Sequence, residues 1–308
     1  MFKNLTIYRV LAGWPNVAGY EALDHDLRTA RFLECGASQE KSVGWIEPRG
    51  HEHGAMVEVI GGQWLLKLMI ETKTVPADVV KRKVGEQLGT IEATTGRKPG
   101  KKERREIADD VRLSLLPMAF AKQSSAQVWV DPAAGLLMVD GHNDEVITWL
   151  IKAVDGLVVQ MVNTQTSPAT AMAGWLATRE APQGFTVDRE CELKAADESR
   201  AVVKYGRHAL DTDEVQNHIA MGKIPTRLAL TWGDRVSFVL TDGMQLKKIA
   251  FLESVFEGGD GGAAVDNFDA DAALATGELR NLIPDLLDAL GGEVRPLPAL
   301  PALPGVRK

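Results

Sequence analysis

Residues Pro76 to Gln123 read PADVVKRKVGEQLGTIEATTGRKPGKKERREIADDVRLSLLPMAFAKQ, and this stretch decides the architecture. Val80, Val84, Leu88 and Ile91 recur at helical spacing, as do Ile107, Val111 and Leu115. Between them Gly96-Arg97-Lys98-Pro99-Gly100 breaks any helix, and Pro117 stops the second pattern near Leu116. The pattern predicts two helices joined by a basic turn, an antiparallel helical hairpin whose second helix, about 16 residues, spans roughly 24 Å. A lone pair of helices buries little area. The hairpin is therefore expected to project and to present Leu115, Leu116, Met118 and Phe120 to a partner. Of the seven charged residues from Arg97 to Arg105, six are positive.

Outward from the hairpin the period is that of strands. Leu5 and Ile7 alternate with polar neighbours over residues 2–10, and Trp14-Pro15-Asn16 ends that run before a helix over Val17–Phe32. Gly61-Gly62 predicts a hairpin turn ahead of a strand over Trp64–Thr74. Strands are expected at Gln127–Asp131 and Gly135–Asp140, a helix over Glu145–Val154, a strand at Leu157–Val162, and a helix opened by Ser167-Pro168. Further strands cover Phe185–Leu193 and Val202–Tyr205, and a capped helix follows Asp211 or Thr212. Arg227–Trp232 and Val236–Thr241 flank Gly233-Asp234, a second hairpin signal, ahead of Leu246–Leu252. Residues 257–264 read as a Gly-rich loop, Asp271–Leu290 as a helix interrupted at Pro284, and 295–308 as a Pro-rich disordered tail. The fold class is α+β, antiparallel sheets with helices and one helical insertion. The expected regions are a centre (1–75 and 124–165), the hairpin (76–123) and a base (166–294).

Charge is segregated. The 308-residue chain carries a net −7, which by itself argues against nucleic acid. Yet residues 76–123 hold eleven cations against seven acids, whereas 250–294 hold ten acids and only Arg280 as a base. The opening MFKNLTIYRV lacks the apolar run of a signal peptide, and no window approaches a membrane span, so a cytoplasmic location is expected. Cys35 and Cys191, far apart in such a chain, read as reduced packing residues.

Catalytic motifs do not emerge. The Gly96–Lys102 stretch has three residues between its glycines, one too few for a P-loop, and a lysine where the magnesium-binding hydroxyl belongs. His51 and His53 share one side of an extended segment but lack a second ligand pair, which favours surface histidines over a metal site. Asp266, Asp269 and Asp271 resemble a nuclease carboxylate cluster, but acids ahead of an apolar helix also suit its positive end. Asp140 and Asp144 flank His142, a sequence proximity that does not make an acid–base pair. The seven tryptophans read as core rather than base-stacking residues.

A series of segments, in order, resembles the RdgC family of recombination-associated proteobacterial proteins. They include Phe2-Lys3-Asn4-Leu5 with Tyr8-Arg9, Gly44-Trp45 with Pro48, Lys73–Lys83 around Val75-Pro76, and Ser114-Leu115-Leu116-Pro117 with Ala119-Phe120. Further on come Gly135-Leu136 through Asp140, Gln183-Gly184-Phe185, Glu192-Leu193-Lys194, Asn217-His218-Ile219 with Gly222-Lys223, and Leu228-Ala229-Leu230 with Trp232. Phe268–Asp271, Thr276–Leu279 and Leu290-Gly291-Gly292 complete the series. The resemblance implies a ring-shaped homodimer around double-stranded DNA, binding without sequence preference, competition with RecA, a nucleoid-associated location, and neither enzymatic activity nor a cofactor or metal. It makes the hairpin the tip of the ring, with Leu115, Leu116 and Phe120 at the dimer contact. On that reading Arg97, Lys98, Lys101, Lys102, Arg104 and Arg105 contact DNA from the tip, and Lys204, Arg207, Lys223, Lys247 and Lys248 from the other walls. The alternative is a regulator that binds other proteins through the hairpin without gripping DNA.

Overall fold

The computed structural model describes residues 1–13, 19–255 and 268–294. Trp14-Pro15-Asn16, the Gly-rich 257–264 stretch, Asp266 and the Pro-rich 295–308 segment lie outside the described residues. The elements begin with β1 (Leu5–Ala12), α1 (Tyr20–Thr29), β2 (Lys41–Ile46), β3 (Glu58–Ile60), β4 (Gln63–Lys73), α2 (Ala77–Thr95) and α3 (Lys101–Leu115). Next are β5 (Ala121–Asp131), β6 (Leu136–Asp140), α4 (Asn143–Ala153), β7 (Val158–Met161), α5 (Pro168–Thr178) and β8 (Phe185–Ala195). The last are β9 (Val202–Gly206), α6 (Asp213–Ala220), β10 (Lys223–Trp232), β11 (Val236–Thr241), β12 (Gln245–Phe251) and α7 (Phe268–Ala289). The fold is mixed α+β, and the chain divides into two compact units. Among the described residues no helix is long and apolar enough to cross a membrane.

One unit comprises residues 11–135 and 141–158. Its sheet is antiparallel, with β4 between β2 and β5 and with β3 also paired to β4. The β3–β4 turn is Gly61-Gly62, both at positive φ, as a tight two-residue hairpin requires. Strand β5 is six residues longer at its start than the alternation of Gln127–Asp131 predicts. Lys122, Gln123, Ser124 and Ser125 carry no apolar signal, but each pairs with β4 in a register running from Trp64↔Val130 to Lys73↔Ala121. Backbone pairing to a long neighbour extends the strand where side-chain pattern is silent. Trp45, Trp64 and Trp129 are fully buried, and the Trp129 indole N–H donates to Gln63 Oε1 at 2.8 Å. Helix α1 contributes Leu23 and Leu27 to this core, and α4 contributes Val146 and Leu150.

The helical hairpin belongs to this unit. Helices α2 and α3 follow the expected bounds, and Gly96 ends α2 in the left-handed conformation (φ 66°), its N–H donating to Glu92 O. None of the 19 residues of α2 is buried, and α3 buries only Val111 and Leu115.

The other unit comprises residues 1–10, 136–140 and 159–308. Here a large antiparallel sheet runs β6-β1-β12-β11-β10-β8-β9, with β7 also paired to β1. Gly233-Asp234 closes the β10–β11 hairpin with both residues at positive φ. Ser167 caps α5, accepting the Thr170 N–H at 3.2 Å, as Ser-Pro at a helix start predicts. The expected interruption at Pro284 is not observed: α7 is continuous from Phe268 to Ala289. An interior proline costs a helix about 3 kcal/mol. The buried stripe of Ala272, Ala275, Leu279, Leu282, Ile283, Leu286 and Leu287 contributes more than that. Two side-chain contacts tie α7 to the β10–β11 hairpin: Arg235 forks onto Glu278, and the Trp232 indole N–H donates to Asp285 Oδ2 at 2.8 Å.

Candidate nucleic-acid interface

The basic turn gathers its six cations because two breakers compress the chain between α2 and α3. Gly96 turns it out of α2, Pro99 is buried, and Gly100 sits extended at the start of α3. The side chains then divide by partner. Arg97 forks onto Glu103, with Nη1–Oε2 at 2.7 Å and Nη2–Oε1 at 2.8 Å. This hydrogen-bonded pair raises the Arg97 pKa and holds the Glu103 carboxyl below the ordinary range. Arg104 donates from Nε to the Pro99 carbonyl at 3.0 Å. Lys98 and Lys102 lie 3.5 Å and 3.9 Å from Glu92 and Glu106, long contacts between exposed groups. Lys101 and Arg105 are exposed and have no ion-pair partner among the described residues. Exposed pairs of this kind contribute less than about 1 kcal/mol each, so an incoming phosphate can displace them.

The second set lies in the other unit, on and beside its sheet. Lys204 of β9 stands opposite Glu192 of β8 and pairs with it at 3.1 Å. Lys248 pairs with Glu190, and its own φ of 53° marks an irregularity in β12 beside half-buried Lys247. Lys223 Nζ lies 3.0 Å from His218 Nδ1, and Arg207 follows β9 in a left-handed conformation. Arg227, absent from the expected set, stands opposite Glu192 on β10 and is exposed. A polar residue interrupting the apolar run of β10 was its sequence signal. Glu192 is held below the ordinary range first by the Thr226 hydroxyl and then by Lys204. The cations on these strands are thus interleaved with acids.

The expectation for the apolar groups needs correction. Leu115 and Leu116 are 8% and 1% exposed, packed within the chain's own core. Leu115 follows Val111 by four residues on the inward face of α3, and Leu116 opens a 3-10 turn (Leu116–Met118) that tucks it in. Met118 and Phe120 are exposed as expected, Phe120 at 95%, and Leu113, outside the expected set, is exposed with them.

The residues weighed for catalysis have structural places. Asp269 and Asp271 occupy the first turn of α7. Asp140 accepts the backbone N–H groups of Lys3 and Asn4 at 2.7 Å and 3.2 Å, and His142 precedes α4 in a left-handed conformation. His51 and His53 are exposed, and the His53 backbone N–H donates to Glu47. Among the described residues no three His, Cys, Asp or Glu side chains form a group that could hold a metal ion. Both cysteines are free. Burial, with Glu192 nearby, pushes the Cys191 thiol up to about 12.

Comparison with known proteins gives a consistent result. A family described as "Putative exonuclease, RdgC" matches residues 1–293. A protein of Dechloromonas aromatica named "Recombination-associated protein RdgC" is 43% identical over 302 residues, covering 95% of this chain and 98% of that protein. Proteins of the same name from Herminiimonas arsenicoxydans and Bordetella pertussis are 44% and 42% identical, covering 95% and 96% of this chain and 98% and 99% of their own lengths.

Proposed function

Because the chain belongs to the RdgC family, whose named members are recombination-associated, we propose that it binds double-stranded DNA without sequence preference, as a dimeric ring around the duplex. By occupying the duplex it limits RecA access, as the resemblance implies. The observation that carries the reading is the cluster of exposed cations at the α2–α3 turn of a chain that is acidic overall. Flexible lysines and arginines on a solvent-facing turn suit phosphates, which are alike at every base pair. Binding then draws its free energy from released counterions and carries no sequence information. Dimerisation is supported by α2, a 19-residue helix with no buried residue, and by fully presented Phe120. Such surfaces suit a second copy.

The test is affinity for two duplexes of unrelated sequence across a salt series. With about six phosphates neutralised, log affinity should fall with log salt at a slope near −5, equally for both. A salt-independent affinity would point to the protein-binding alternative. The exonuclease wording of the family description is checked in the same tubes. End-labelled duplex with magnesium should keep its length, and progressive shortening would make the chain an enzyme.

A further inference from the structure

We infer that Glu103 is a built-in competitor for phosphate: its carboxylate fills the anion position that the two-pronged Arg97 guanidinium offers at the start of α3, and duplex DNA must displace it to engage Arg97. The inference deepens the DNA-binding reading and rests on it. Both guanidinium prongs of Arg97 are committed, at 2.7 Å and 2.8 Å, in the two-pronged geometry by which arginine holds carboxylates and phosphates alike. Gly100 stands extended at the start of α3, three residues ahead of Glu103. Glu103 thus stands in the helix's first turn, where an anion is favoured. The neighbouring acids differ: Glu92 and Glu106 each reach one lysine, at 3.5 Å and 3.9 Å.

The pair is also displaceable. Arg97 and Glu103 side chains are 60% and 33% exposed, so water competes for both. A phosphate oxygen pair presents the same fork-matching edge as the carboxylate, and the freed glutamate returns to solvent. Arg97 therefore adds little to DNA affinity while Glu103 is present and a full contact when it is absent. The device lowers the affinity of the turn and shortens the life of its DNA contact without removing a cation.

A double-mutant cycle tests this in the full-length chain, using Glu103→Gln, Arg97→Gln and their combination, with Glu106→Gln as the control for lost negative charge. Glutamine keeps the size and polarity of glutamate, and matching thermal melts establish that each variant folds. Glu103→Gln should bind duplex about five- to tenfold tighter at roughly 0.1 M salt, with a salt slope steeper by about 0.9 per hairpin engaged. Arg97→Gln alone should change affinity by less than about twofold, and adding it to Glu103→Gln should abolish the gain. Glu106→Gln should gain less than Glu103→Gln. No gain in Glu103→Gln, or a gain that persists without Arg97, would overturn the inference while leaving DNA binding intact. A wild-type chain that ignores duplex at low salt would remove the reading itself, and the inference with it.

Discussion

Reversing Lys101 and Arg105 together to glutamate should lower duplex affinity by about a hundredfold at roughly 0.1 M salt and flatten the salt slope by about 1.8. These two cations at the α2–α3 turn have no acid partner among the described residues and, unlike Arg104, are not tied to a backbone carbonyl, so their charge is available to a ligand. Each phosphate contact contributes about 0.9 to the slope, worth roughly eightfold in affinity between 1 M and 0.1 M salt, and the new acids add repulsion. Folding should be spared. Residue 101 opens α3, where a negative side chain favours the helix, and residue 105 is exposed. The loss should be equal on unrelated duplexes. Unchanged affinity, or a loss confined to one sequence, would take the turn out of the DNA-binding account.

Gly44→Ala should destabilise the unit that carries the hairpin by roughly 3–5 kcal/mol, lowering its melting temperature by about 10 °C. An added Cβ would lie 2.4 Å from Phe32 Cα, 2.5 Å from Phe32 N and 2.8 Å from Arg31 C. These are backbone atoms, so no rotamer change relieves the overlap. The segment they belong to is bonded to β2, with Trp45 N–H donating to Ala30 O at 3.0 Å and Phe32 N–H to Trp45 O at 2.9 Å. Separating the two segments breaks those bonds and opens the site of Trp45, which is fully buried. Gly85→Ala is the control, since a Cβ at that position in α2 meets nothing within 4 Å. A thermal melt of the Gly44 variant superimposing on wild type would contradict this packing.

The sequence made the hairpin and the glycine-marked strand turns legible because each is a local signal. Gly96–Gly100 interrupts two helical periods, and Gly61-Gly62 and Gly233-Asp234 are turn dipeptides between apolar runs. What depends on distant partners was hidden. The first six residues of β5 are extended because β4 is there to pair with them. The helix passes Pro284 because its other face is buried. Leu115 and Leu116 share the hydrophobicity of Phe120, and only tertiary packing separates the two that face inward from the one that faces out. The basic turn could be found by counting charge. Which of its cations are already held by Glu92, Glu103 and Glu106 could not, since that depends on how the two helix ends meet.

Enclosure of duplex DNA in a passage lined by cations from two copies of the chain is what the proposed function requires. It is tested by loading the protein onto a covalently closed circular duplex and onto the same circle cut once, then raising the salt until phosphate contacts are screened. A ring stays linked to the closed circle and slides off the linear ends, so retention on the circle alone is the expected result. Equal release from both forms would contradict enclosure.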